Sequence, residues 1–337
     1  MTSGSERPKA AQRSQTPAVL LVFSDVFARH STDGHPENQG RLDATVAYLR
    51  QTGLWERCRV VPPRPASVEE LALVHDRAYL DLVRSLAESG GGWLDLETIV
   101  SPGTYEAATH AAGAGLVAAE RILAGDVRRA FCLVRPPGHH ARPSRGMGFC
   151  IFNNIAVAAR WLLGRGLERL LIVDWDYHHG NGTEEAFYEE PRVFYLSLHR
   201  YPSYPGTGSS EARGRGPGEG TTLNVPLPWG TTSRQYLTLF ARALEEACAR
   251  SRPEIILISA GFDAYRGDEL AGADLEVEDF GRMTDLVVNQ ADAFAQGRVL
   301  SVLEGGYGES ALPRCIGEHL RRLGQWEVGE RAEGMGP

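Results

Sequence analysis

One run, Leu170-Leu-Ile-Val-Asp-Trp-Asp-Tyr-His-His-Gly-Asn-Gly182, restricts the fold of this chain more than any other. It opens with an apolar, β-branched segment that reads as a strand buried on both faces, as parallel strands are. It then delivers two carboxylates and two imidazoles, Asp174, Asp176, His178 and His179. Alternate side chains of an extended chain share a face, so Asp174, Asp176 and His178 point the same way. That presents a carboxylate oxygen and an imidazole nitrogen to one divalent metal, with Asp174 behind them as an acceptor. The glycines at 180 and 182 turn the chain away from the strand.

Other apolar runs behave alike. Segments 18–24, 130–134, 192–199, 254–260 and 298–303 read as buried strands, separated by helical patterns over 38–51, 67–72, 75–89, 104–123, 152–164, 236–250 and 277–294. Residues 93–102 read as an irregular loop, and 209–222, rich in Gly, Glu and Arg, as a mobile one. Strands and helices alternate with no linker, so the expectation is a single α/β domain over 18–325. Its sheet is open and mostly parallel, flanked by helices on both faces, with the active site at the strand C-terminal ends. Residues 1–17 read as a disordered tail and 326–337 as a C-terminal tail.

A net charge of −8 argues against a broad nucleic-acid surface. No apolar run approaches a membrane span, and the first residues lack the apolar core of a signal peptide. Five scattered cysteines without a CxxC pair suit reduced thiols, so a cytoplasmic location is expected. Oligomeric state is left open.

The strand ends carry the chemistry. Arg135-Pro-Pro-Gly-His-His-Ala141 fixes His139 and His140 on a proline-stiffened turn, a suitable pair for proton transfer beside a metal-bound water. Gly261-Phe-Asp263 adds a carboxylate, so Asp176, His178 and Asp263 make an open metal site of the catalytic kind. A metal there acidifies water and polarises a carbonyl, as amide hydrolysis requires. Tyr307, in Glu304-Gly-Gly-Tyr-Gly308, can donate its hydroxyl to a developing oxyanion. Phe149, after Gly148, and Tyr204 can wall a narrow channel for an aliphatic chain. His35, Glu37 and Arg41, after the first strand, are candidates for the rim.

Four segments, Arg135–Ala141, Val173–Thr183, Ser259–Ala264 and Leu303–Tyr307, resemble the signature motifs of the arginase/deacetylase superfamily. They look most like zinc-dependent histone deacetylases and their bacterial deacetylase and acetylpolyamine-amidohydrolase relatives, over about residues 20–320. The resemblance implies Zn2+, with Fe2+ as the other candidate, on Asp176, His178 and Asp263. It implies His140 as general base and then acid, His139 as its electrostatic partner and Tyr307 as oxyanion donor. It implies that Asp174 orients His139 and that Asn181 partners His140, as in the class II pattern, where a neutral Asn leaves His140 less basic than an Asp would. A structural K+ would map to Asp174, Asp176, His178, Ser197 and Leu198.

The implied substrate is acetylated lysine in a protein or peptide, or a small acetylated amine such as an acetylpolyamine. Leu270 falls at the gatekeeper position where polyamine-selective relatives carry an acid, with Glu269 one residue away. Tyr204 stands where Phe is usual, and an acidic rim of Glu37, Asp95, Glu97 and Glu269 would suit a cation. Two rivals are a two-metal ureohydrolase, which needs bridging carboxylates, and a non-catalytic acyl-lysine binding module, in which the catalytic side chains need not persist.

Overall fold

Apolar strands pair side by side because their backbone groups, once both faces are covered, have no water to bond. In the computed structural model, which describes residues 19–326, the strands are β1 (Val19–Val22), β2 (Cys58–Val61), β3 (Gly92–Trp93), β4 (Ile99–Val100), β5 (Arg129–Cys132), β6 (Leu170–Asp174), β7 (Val193–Arg200), β8 (Thr222–Leu227), β9 (Ile255–Ala260) and β10 (Val299–Leu303). Eight of them form one sheet in the order β2-β1-β5-β10-β9-β6-β7-β8, and every neighbouring pair is parallel. The helices Thr104–Leu123 and Asn154–Gly164 pack together on one face. On the other, Gly40–Gln51, Leu312–Leu323, Val277–Phe294 and Ser233–Ser251 follow one another as neighbours. This is the single α/β domain that the strand–helix alternation leads one to expect.

Two strands of the sheet, β2 and β8, go beyond the sequence reading. Both are edge strands with half-exposed positions, and Arg59, Asn224 and Pro226 interrupt their apolar runs. Proline is tolerated on an edge because no partner needs its missing N–H. Residues 209–222 are folded rather than mobile: Arg215 N–H donates to Tyr188 O (2.8 Å), Gly220 N–H to Arg213 O (2.6 Å), and Gly216–Gly218 makes a 3-10 turn. Within 93–102, β3 and β4 form a small antiparallel pair. Asp95 Oδ1 closes its turn by accepting from the Glu97 and Thr98 N–H groups (3.0 and 2.7 Å). The tails at 1–17 and 327–337 lie outside the described residues. Trp326, expected in the second tail, is instead buried, with the Arg57 guanidinium 4.8 Å over its ring.

Small residues let the helix Thr104–Leu123 press against its surroundings. A Cβ on Gly113 would stand 1.8 Å from Arg64 O, on a segment that Ala66 N–H ties to Thr109 O (2.9 Å). Gly113→Ala should therefore destabilise the fold by about 1–3 kcal/mol through overpacking. Urea denaturation checks this, and an unchanged midpoint would mean that the 64–66 segment yields.

Candidate metal centre

β5, β10, β9, β6 and β7 lie consecutively in the sheet, so loops far apart in sequence meet at their carboxyl ends. Asp174 ends β6; Asp176 and His178 follow it, and Asp263 lies just beyond β9. His178 Nδ1 is 3.3 Å from Asp176 Oδ1 and 3.0 Å from Asp263 Oδ2. Donor atoms of these three residues all lie within 4.8 Å of one another. Backbone N–H groups hold the carboxylates: Tyr177 donates to Asp263 Oδ1 (2.8 Å) and Gly305 to Asp176 Oδ2 (2.9 Å). Gly261 leaves the room, since a Cβ there would lie 2.1 Å from Asp176 Oδ2. Burial, and then the charge of Asp176, push the Asp263 carboxyl up. Two buried carboxylates and an imidazole converging in this way fit a divalent cation, which would relieve their repulsion.

His139, Cys150 and Glu304 make a second cluster with donor atoms within 4.8 Å. Its carboxylate is already used: Glu304 Oε2 accepts from Gly138 N–H (2.7 Å) and His139 N–H (3.1 Å), and Oε1 from the Ser259 hydroxyl (3.1 Å). Burial and the charge of Glu304 push the Cys150 thiol well up, so it stays protonated. This cluster does not fit a metal.

The tandem histidines project between these groups with rings 4.0 Å apart. His139 Nδ1 is 3.1 Å from Asp174 Oδ2, and His140 Nδ1 is 2.8 Å from Asn181 Oδ1. An amide oxygen only accepts, so the His140 Nδ1 carries the proton and its Nε2 keeps a lone pair. Burial opposes a charge on His139, but Asp176 and then Asp174 outweigh it and push it up to about 10. Burial, then the charges of His139 and His178, hold His140 well below the usual imidazole range. The two rings are thus pushed in opposite directions.

A cavity of about 220 Å3 opens beside them, lined by His140, His178 and Tyr307 together with Gly148, Phe149, Tyr204, Leu270 and Glu97. Gly148 and Phe149 both have left-handed backbones (φ 56° and 68°), uncommon for a phenylalanine. A Cβ on Gly148 would lie 2.5 Å from His140 Cδ2, so only glycine allows the wall this close. The Phe149 ring stands edge-on to Tyr307 (5.7 Å) and His35 (4.5 Å). Tyr307 is held by its N–H to Asp268 Oδ2 (2.8 Å), with Arg41 5.0 Å over its ring. Burial pushes its hydroxyl well above the usual phenol range.

Of the six residues expected at the rim, His35, Glu37, Arg41, Asp95, Glu97 and Glu269, only Glu97 lines the cavity. His35 backs the wall, its Nε2 3.2 Å from Glu97 O. Asp95 closes the β3–β4 turn, and Glu269 is exposed beside Leu270 without lining the cavity. Glu37 and Arg41 are corrections, both being buried and paired with each other. Arg135 grips Glu37 bidentately (2.6 and 2.8 Å) and Arg41 adds a third contact (3.0 Å). Arg41 in turn donates to Gly306 O (2.7 Å) and Glu304 O (2.6 Å). Sequence reasoning missed Arg135 and Glu304. The available signal was a charged residue flush against a buried strand end. Among the residues expected around K+, Asp174 and Ser197 face each other in register across β6 and β7, and Leu198 is buried beside them.

Burial penalises the Glu37 charge, yet the charge of Arg135 together with hydrogen bonds from His30 and Arg135 outweighs it and holds the carboxyl well below its usual range. Its stabilisation is therefore complete above the unfolded-state value of about 4.3 and is lost as pH falls through the lower folded value. Glu37→Gln should cost about 3–5 kcal/mol at neutral pH, because it leaves two buried guanidinium groups uncompensated. It should also flatten the dependence of the urea midpoint on pH below about 4.3. A variant as stable as wild type at pH 7 would contradict this.

The chain is similar to known proteins over most of its length. The histone deacetylase domain family matches residues 35–323. A probable deacetylase of Archaeoglobus fulgidus is 40% identical over 297 residues, covering 87% of this chain and 82% of the relative. A histone deacetylase-like amidohydrolase of Pseudomonas aeruginosa is 39% identical over 284 residues, covering 84% and 75%. Among solved structures, the HDA15 HD domain superposes with a TM-score of 0.87 at 35% identity, over 92% of this chain and 89% of that one.

Proposed function

Because the chain belongs to the histone deacetylase family, within the arginase/deacetylase superfamily, we propose that it hydrolyses the acyl amide of acetylated lysine or of a similar primary amine. The observation that carries this reading is the cavity itself, which His178 of the Asp176–His178–Asp263 cluster, the neutral His140 and Tyr307 line together. Asp176, His178 and Asp263 would hold the cation, zinc or ferrous iron, which supplies Lewis acidity to a carbonyl and acidifies water.

The side chains supply the rest. The aliphatic stem of the substrate lies between Phe149 and Tyr204, with Leu270 near the mouth. His140 Nε2 takes the proton of the attacking water and returns it to the leaving nitrogen, since an amine leaves an amide only when protonated. His139, tied to Asp174, keeps a positive charge beside the reacting centre. The Tyr307 hydroxyl donates to the oxyanion as it forms. A K+ held by Asp174, Asp176, His178, Ser197 and Leu198 would brace the ends of β6 and β7.

Two features bear on rivals and setting. The occupied oxygens of Glu304 and the protonated Cys150 thiol disfavour a two-metal ureohydrolase, and the complete set His139, His140 and Tyr307 disfavours a silent binding module. No helix among the described residues is long and apolar enough to cross a membrane. Five free cysteines support a reducing compartment such as the cytoplasm.

Turnover of the zinc-loaded protein on an acetyl-lysine peptide and on an N-acetylated polyamine tests the reading. The peptide should be preferred, because Leu270 and not Glu269 lines the cavity. Preference for the polyamine would mean that Glu97 decides, and no turnover on either would overturn the function. Tyr307→Phe should lower kcat by about 10²–10³ with metal and fold retained, since one oxyanion donor is lost. Near-wild-type turnover would remove Tyr307 from the mechanism. Asp263→Ala should lose metal on dialysis, measured by elemental analysis, and full occupancy would count against its ligand role.

A further inference from the structure

Glu304 takes no part in the chemistry above, yet its carboxylate is completely buried at the junction of three strand ends. A buried carboxylate is costly unless its lone pairs are satisfied. Among the described residues no arginine reaches it within ion-pair distance; instead neutral donors from one loop and from strand β9 converge on it. Oε2 accepts from the successive N–H groups of Gly138 and His139 (2.7 and 3.1 Å), and Oε1 from Ser259 on β9 (3.1 Å).

The backbone of the same residue is pinned as well. Its N–H donates to Ala260 O (3.0 Å), and its carbonyl accepts from Arg41 (2.6 Å). Arg41 continues to Gly306 O, and Gly305 N–H reaches Asp176 Oδ2 (2.9 Å). Residue 304 therefore joins the turn that carries His139 and His140 to the loop that carries Tyr307. Without the carboxylate, none of these contacts would run directly from the 304–307 loop to the backbone of residues 138 and 139.

We propose that Glu304 is a positioning residue for this reaction, setting the His139–His140 turn at a fixed distance from Tyr307. A proton acceptor and an oxyanion donor that act on one small group lose rate when either is misplaced by about 1 Å. The link between them is thus a determinant of kcat and not of substrate binding, which belongs to the cavity wall. The inference rests on the amide-hydrolase reading for its kinetic consequence, though not for its geometric one.

The test compares Glu304→Ala, Glu304→Gln and Ser259→Ala with wild type, each loaded with zinc. Four readouts are needed: kcat and KM on an acetyl-lysine peptide, metal content, thermal midpoint, and the 15N resonances of the His139 and His140 imidazoles. Glu304→Ala should lower kcat at least 100-fold, with KM within threefold and metal content unchanged, and should move both imidazole resonances. Glu304→Gln still offers an oxygen to the two N–H groups and should recover at least tenfold of that loss. Ser259→Ala removes one of three bonds and should lower kcat three- to tenfold.

A Glu304→Ala protein with a lowered midpoint but unchanged kcat and imidazole resonances overturns the proposal, because Glu304 would then only support the fold. If Glu304→Ala does not fold, the milder variants decide. A Glu304→Gln protein as inactive as Tyr307→Phe, beside a wild-type-like Ser259→Ala protein, would mean that the charge matters and the positioning does not. Should wild type turn over no acyl-lysine substrate, the functional reading fails, while the imidazole resonances still report whether Glu304 places the turn.

Discussion

Negative charge buried at the carboxyl ends of parallel strands is the constraint on which this structure turns. Glu37, Asp174, Asp176, Asp263 and Glu304 are all at most 1% exposed, and each must be answered locally because water cannot reach it. The answers differ. Glu37 has Arg135 and Arg41; Asp174 has His139 and the Tyr195 hydroxyl; Glu304 has backbone N–H groups and a serine. Asp176 and Asp263 share His178, and Asp176 otherwise meets only the far side of His139 (3.7 Å), a ring already tied to Asp174, besides backbone donors. That deficit of positive charge marks the centre and separates it from the neighbouring cluster of His139, Cys150 and Glu304, whose demands the protein itself meets.

The sheet order explains why the deficit can form there. β9 lies between β10 and β6, so the loops after all three meet above the middle of the sheet, where both faces are covered by helices. Asp174 stands level with Ser259 on one side and Ser197 on the other. The small polar residues at these positions let a charged group sit at the end of a buried strand without a clash or an unmet hydrogen bond. The edge strands β2 and β8 carry none of these carboxylates.

The sequence was most legible where a single local pattern decides the structure. Leu170–Asp174 and Ile255–Ala260 are continuous apolar runs, and the motifs that follow them hold several chemically demanding residues within reach of one another. Thr104–Leu123 was legible from end to end because its alanines and glycines repeat at helical spacing. Legibility failed where long-range partners decide. Thr222–Leu227 is a strand only because β7 offers its edge, and neither Asn224 nor Pro226 announces it. Glu37 sits in a turn-rich loop that looks solvated, yet its partner Arg135 lies 98 positions away. Nothing near Glu37 in the chain foretells that contact. Trp326 is buried for a similar reason, through Arg57 and the far edge of the sheet.

The two adjacent histidines show how one fold separates two protonation states within 4.0 Å. Equal partners would give equal basicity, and a pair of like imidazoles would then share one proton without a defined donor. Asp176 and Asp174 on one side and Asn181 on the other break that symmetry: the two carboxylates favour a cation on the inner ring, and the amide orients the outer ring without adding charge. The inner cation then depresses its neighbour further, because like charges at this distance in a buried site are mutually disfavoured. The result is an unprotonated Nε2 on the ring that lines the cavity. An aspartate at 181 would restore part of the symmetry and raise the basicity of His140. The neutral amide is therefore as much a part of the acid–base design as the histidines themselves.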